Sequence, residues 1–100
     1  MQYCVKLSKK ADHDLIKVYD YIKEALFAPE TAEKFLRGIF SCIASLETSA
    51  SVYAISTYQD VLCYGNNARS INYKGFAIIY TIHGYYVLVH RIIHGSLIKI

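Results

Sequence analysis

The spacing of apolar residues divides this chain into segments with the period of a helix and segments with the period of a strand. From Ala11 to Leu46, apolar residues recur every three or four positions, which places them on one face of each of two helices. Ala28-Pro29-Glu30 interrupts this pattern, and a proline followed by an acidic residue favours the start of a new helix. We therefore predict a helical hairpin over residues 8–47, with Ser8 as its N-cap.

Strand-like alternation of apolar and polar residues occurs at both ends of the chain. Tyr3 to Leu7 show it first, and three later segments repeat it: Arg69–Tyr73, Gly75–Ile82 and Tyr85–Ile93. His83-Gly84 predicts a tight turn between the last two segments, so they form an antiparallel hairpin. The predicted fold is α+β in the order β-α-α-β-β-β, with the helical hairpin packed on one face of an antiparallel sheet.

Both faces of the predicted sheet are apolar near its centre. Alternation points Phe76 and Ile78 to one face and Ala77 and Ile79 to the other. Two helices can cover only one of these faces, so we expect the second to be covered by residues 48–68, by a partner protein, or by both. Within residues 48–68 we predict a loop with one short strand over residues 58–62.

Composition narrows the class of protein. Apolar residues make up 54% of the chain and charged residues 19%, which is typical of a packed domain, here spanning residues 1–100. No apolar run approaches the roughly 20 residues that span a bilayer, and the first residues lack the layout of a signal peptide. We expect a cytoplasmic protein without membrane contact. The three cysteines lack the spacing of a disulfide framework or zinc site, and we expect neither metal nor cofactor.

Residues able to support chemistry are concentrated late in the chain. No nucleotide-binding or metalloprotease motif occurs, and the candidates are Arg69, Lys74, His90, Arg91 and His94. An arginine can hold a phosphate bidentately, and a histidine can act as general acid or base near neutral pH. Each candidate also has a structural interpretation, as a solvated charge or a hydrogen-bonded histidine. Alternation places Arg91 and His94 on opposite faces, so they can act together only if the strand ends, bends or bulges between them.

Motifs along most of the chain occur in an order that defines a known superfamily. The first half contains Tyr3-x-Val5-x-Leu7-Ser8-x-x-Ala11-x-x-Asp14-Leu15 and Leu26-Phe27-Ala28-Pro29-Glu30-Thr31-Ala32. The second half contains Arg69-x-Ile71, Tyr73-x-x-Phe76-x-Ile78-x-Tyr80 and Val89-x-Arg91-Ile92-Ile93-His94-Gly95. This ordered set, over about residues 3–95, resembles the RelE/ParE superfamily of toxins from type II toxin–antitoxin systems.

The resemblance implies a toxin that is neutralised by a cognate antitoxin, whose tail wraps around it in a hetero-oligomer. RelE-like members cleave mRNA on the ribosome without a metal ion. For that mechanism, Arg69 and Arg91 match the phosphate and transition-state clamps, His94 matches the general acid, and Tyr73 and Lys74 would bind RNA. ParE-like members instead inhibit DNA gyrase and have no enzymatic activity.

The resemblance leaves three functions open. The set of Arg69, Arg91 and His94 favours ribosome-dependent mRNA cleavage. Two departures from the RelE pattern count against cleavage: residues 48–68 contain no lysine, and Ser96-Leu97 replaces the usual Arg-Asp. The helix start Pro29-Glu30-x-Ala32 and the ending Arg91-Ile92-x-His94-Gly95 resemble the ParE branch and favour the alternative, gyrase inhibition. The third possibility is a decayed toxin that binds only its antitoxin. The expected partners are therefore an antitoxin together with either the ribosome and mRNA or DNA gyrase.

Overall fold

The chain folds as two long helices packed against a four-stranded sheet. The structure, a computed structural model, describes residues 2–98. Its strands are β1 (Cys4–Leu7), β2 (Arg69–Tyr73), β3 (Phe76–His83) and β4 (Tyr86–His94), and its helices are α1 (Lys9–Asp20), α2 (Pro29–Ala44), α3 (Leu46–Ser49) and α4 (Gln59–Leu62). A π-helical turn, Tyr21–Ala25, extends α1, and a 3₁₀ turn, Gly95–Leu97, follows β4. The α+β prediction and its element order are confirmed.

The predicted helical hairpin is present with the signals that the sequence indicated. The Ser8 side chain accepts a hydrogen bond from the Ala11 N–H at 3.0 Å, and Pro29 occupies the first position of α2. The short strand predicted over residues 58–62 is wrong, because this segment forms the helical turn α4. Only Val61 of this turn is buried, and a single buried residue does not distinguish a strand from a helical turn.

The sheet has the strand order β1-β4-β3-β2 and is mixed. The antiparallel pairing predicted for β2, β3 and β4 is confirmed, whereas β1 pairs in parallel with β4, from Cys4 opposite Tyr86 to Leu7 opposite Val89. The helical hairpin between β1 and β2 acts as a crossover connection, which parallel strands require. After this crossover, β2 runs in the same direction as β1.

Each face of the sheet has its own apolar cluster. On the helix side, Leu15, Phe35 and Ile39 pack against Ile78 and Tyr80. On the second face, the buried residues are Val61, Ala68 and Ile79, with Tyr64, Ile93 and Ile98 packed around them. The expectation that residues 48–68 cover part of the second face is confirmed.

A β-bulge in β4 changes which residues face the helices. Ile79 pairs with Arg91 and the next residue of β3, Tyr80, pairs with Val89, so His90 is an extra residue in β4. Val89 and Ile92 both lie in the helix-side core although they are three positions apart. Strict alternation, which predicts that His90 and Ile92 share a face, is therefore wrong at this point of β4. The His90 Nε2 atom lies 2.8 Å from the hydroxyl of Thr81, a buried residue on the second face.

The setting of His90 predicts a pH-dependent stability. Burial, together with the charge of His83, lowers the pKa of His90 below its ordinary value. The unfolded chain then takes up this proton at a higher pH than the folded chain, so the free energy of unfolding decreases as the pH falls below about 6.5. Urea unfolding between about pH 8 and about pH 5 should show this decrease, and His90→Gln should reduce it. His13→Gln, at an exposed position on α1, is the control and should retain the wild-type profile.

Candidate functional site

Arg91 is held by a carboxylate of the first helix. Its Nε and one terminal nitrogen donate hydrogen bonds to the two carboxylate oxygens of Asp14, at 2.8 Å and 3.0 Å. This bidentate pair is partly shielded, with 29% of the Arg91 side chain and 13% of the Asp14 side chain exposed. The hydrogen bonds to Asp14 raise the pKa of Arg91 above its ordinary value, while burial opposes that shift. The guanidinium is therefore charged and fixed in position.

Asp14 also completes the hydrogen bonding of β4. Because β1 ends at Leu7, the following part of β4 lacks a strand neighbour on that side. Ser8, the residue after β1, bonds to the first part of this stretch. Its N–H donates to the Val89 carbonyl and its hydroxyl donates to the His90 carbonyl. The Ile92 N–H then donates to an Asp14 oxygen at 2.9 Å. One carboxylate thus satisfies both the guanidinium of Arg91 and a backbone donor at the sheet edge.

Arg69 lies at the first position of β2 on the helix side of the sheet. It pairs with Tyr80, whose hydroxyl donates to the Ala50 carbonyl at 2.7 Å. Burial raises the pKa of Tyr80 to about 12, an effect that the positive charge of Arg69 partly offsets. The Nε atom of Arg69 is itself buried and has no hydrogen-bond partner within residues 2–98.

His94 lies at the other end of the sheet, where β4 meets the β2–β3 turn. Its Nδ1 accepts a hydrogen bond from the Ser96 N–H at 3.2 Å, so the neutral ring carries its proton on Nε2. The ring packs edge-on against Phe76, with centroids 5.4 Å apart. The following Gly95 N–H donates to the Gly75 carbonyl at 2.7 Å, which fixes the turn beside the imidazole.

Tyr73 and Lys74, the predicted RNA-binding residues, lie close to His94. Tyr73 is partly buried between Phe35 and Gly38 of α2, where a side chain at Gly38 would collide with the tyrosine hydroxyl. Lys74 has a left-handed backbone, with φ of 46°, and its ammonium lies 5.8 Å from the centroid of the Tyr73 ring. Tyr73 is therefore a packing residue in this structure, while Lys74 is exposed at the turn.

The three residues matched to catalytic roles do not converge on one groove. Arg69 and His94 pair with Tyr80 and Phe76 of β3, which puts their Cα atoms about 15 Å apart on the helix side. Arg91 pairs with Ile79, a core residue of the second face, and its side chain turns to Asp14 at the sheet edge. The bulge at His90 lies before Arg91, so it does not bring Arg91 and His94 to the same face. The Lys74–His94 end of the sheet is the one place where predicted site residues meet.

The partner of Arg91 is the residue that sequence reasoning missed. Asp14 appeared only as one position in a motif of the first helix. Its one local signal is its place beside Leu15, which puts a carboxylate at the border of the apolar face of α1. Nothing in the sequence connects that position with β4, 77 residues later.

Comparison with known proteins identifies the family. A family model described as the ParE toxin of the type II toxin–antitoxin system parDE matches residues 5–98. The chain belongs to the ParE toxin family. It is therefore the toxin component of a type II system, with a cognate antitoxin as partner, and the predicted RelE/ParE resemblance is confirmed.

A solved structure has the same fold as this ParE toxin. The chromosomal ParDE toxin–antitoxin system from P. aeruginosa aligns with a TM-score of 0.77 over 93% of this chain and 96% of that chain, at 22% sequence identity. No curated protein matches the sequence. Within residues 2–98, no helix of the toxin is both long and apolar enough to cross a bilayer. In the same range, no cluster of three or more His, Cys, Asp or Glu residues is arranged to hold a metal ion.

The role of Asp14 predicts the effect of removing its charge. Asp14→Asn leaves the partly buried guanidinium of Arg91 without a counter-charge, so the free energy of unfolding should fall by about 1–3 kcal/mol. Urea denaturation monitored by circular dichroism measures this change. Asp20→Asn, at an exposed position on the same helix, should change stability by less than about 0.5 kcal/mol. Equal effects of the two substitutions would contradict the proposed role of Asp14.

Proposed function

We propose that this toxin inhibits DNA gyrase by binding to it, without catalysing a reaction. The observation that supports this proposal best is the commitment of Arg91 to Asp14 at the sheet edge. A transition-state clamp for RNA cleavage needs a guanidinium that faces the reacting phosphate together with the general acid. Arg91 instead stabilises the junction of α1 and β4, and His94 lies on the other side of the sheet.

The ParE family assignment supports the same proposal, because ParE-like members of the superfamily act on gyrase and need no catalytic set. A toxin that acts by binding does not need the lysines that residues 48–68 lack. A binding toxin requires only a stable surface, and the bidentate Asp14 contact and two apolar clusters provide a rigid framework for one.

One observation favours the alternative of mRNA cleavage. His94, Lys74 and the ring of Tyr73 meet at one end of the sheet, where a proton-carrying imidazole nitrogen and an exposed ammonium could approach RNA. Arg69, the arginine matched to the phosphate clamp, lies about 15 Å away from this end, too far to neutralise the charge that develops on phosphorus there. A toxin retaining only antitoxin binding is the third alternative.

Two measurements in an induced bacterial host separate these functions. We expect a DNA-damage (SOS) reporter to respond while bulk protein synthesis continues, and the purified toxin to block supercoiling by gyrase. His94→Gln should retain this activity within about threefold, because the side chain is exposed and makes only local contacts. Arg91 substitutions are poor probes, because they also disturb the Asp14 junction.

The opposite pattern would overturn the proposal. Arrested translation with cleaved mRNA and no SOS response, abolished by His94→Gln, would establish the nuclease. Normal growth while the folded protein accumulates, with no effect on purified gyrase, would establish a toxin that only binds its antitoxin.

A further inference from the structure

We infer that the outer edge of β2, with Arg69 as its anchor, binds an extended acidic segment of the antitoxin as an added strand. β2 is the last strand in the sheet order, and within residues 2–98 no strand pairs with its outer side. The preceding segment bonds to the chain just before the strand, where the Ser56 N–H donates to the Ala68 carbonyl, and its Tyr58 lines a cavity with Ser70 and Asn72. An unpaired edge offers a row of backbone donors and acceptors to an extended peptide.

Arg69 supplies the specific contact at this edge. Its Nε is buried without a hydrogen-bond partner in the described chain, although a buried polar atom is normally satisfied. A guanidinium presents five N–H donors in a planar fork that matches a carboxylate. A carboxylate from an added strand would supply the missing acceptor.

Charge distribution favours an acidic occupant. All eight acidic residues of the chain precede residue 61, while four lysines and arginines follow it. The two cations of the β2 region, Arg69 and Lys74, lie at the two ends of the region's exposed edge. An acidic segment running along β2 would thus meet a cation at each end and no carboxylate from the neighbouring strands.

A cavity for side chains flanks the strand, as is common where a peptide adds to a sheet edge. The segment that precedes β2 also exposes Val52 and Ile55, at 76% and 47%. On the second face, Ser70 and Asn72 line a cavity of about 210 Å³ together with Tyr58, Gly95 and Ile98. An apolar environment around a cation suits a protein carboxylate better than the continuous phosphate backbone of RNA, which is why we assign the site to a protein segment.

Binding measurements with the antitoxin expressed from the neighbouring gene test this site. They rest on the antitoxin partnership and not on the gyrase proposal, so either can fail alone. Arg69→Gln should weaken the complex about 10- to 100-fold, and Arg69→Lys, which keeps the charge but not the fork, should weaken it less. Arg37→Gln, at an exposed position on α2, is the matched control and should change affinity by less than about twofold.

Hydrogen exchange of the wild-type complex tests the added strand without any substitution, so a variant that fails to fold does not remove the test. We expect the amides of residues 69–73 that face outward to exchange at least about tenfold more slowly in the complex. Unchanged exchange at β2, or equal losses of affinity in Arg69→Gln and Arg37→Gln, would overturn the inference. It would also be overturned if Arg69→Gln left antitoxin affinity intact but abolished binding of a single-stranded RNA oligonucleotide.

Discussion

The Asp14 carboxylate links helix α1 to strand β4 beyond the end of β1, where β4 has no pairing with β1. β1 is four residues long and covers only the first part of β4, so the remaining edge of β4 needs another source of acceptors. Asp14 accepts from the Ile92 N–H and neutralises Arg91 with the same two oxygens. The position of α1 on the sheet, and with it the helix-side core around Leu15, depends on this contact. Arg91, which the resemblance matched to a catalytic clamp, thus has a structural partner in Asp14.

The bulge at His90 has a comparable influence on the site. Without it, strict alternation would place Arg91 on the helix side with Arg69, and Ile92 and His94 on the second face. With it, Ile92 enters the helix-side core and Arg91 is directed to the edge, within reach of Asp14. The extra residue is accommodated by Thr81, which hydrogen-bonds to the His90 ring, and by the Tyr64 ring, whose centroid lies 5.6 Å from that of His90.

The Asp14 contact and the bulge at His90 could not be predicted from the sequence, whereas much of the remaining fold could. The helical hairpin, its Ser8 N-cap, the helix start at Pro29 and the β3–β4 hairpin follow from local spacing and turn residues, and all are present. The parallel pairing of β1 joins residues far apart in the chain, such as Cys4 and Tyr86, and the register shift at His90 is accommodated by Thr81 and Tyr64; local periodicity contains none of these contacts. The candidate site residues could likewise be recognised by residue type. Which face of the sheet each occupies, and how far apart they lie, depends on the strand register, which the sequence does not show. The helical turn α4 was missed because a single buried residue, Val61, fits either period.

The open edge of β2 shows how solubility and recognition can share one set of side chains. An exposed edge strand is prone to pair with another copy of the same chain, and proteins counter this with short edge strands and charged residues. β2 follows both rules, with five residues and a cation at its start, and Lys74 follows directly after it. Two copies meeting at this edge would bring like charges together, whereas an acidic segment would gain from each. The charges that would oppose self-association at this edge are therefore the same ones that would select an acidic partner.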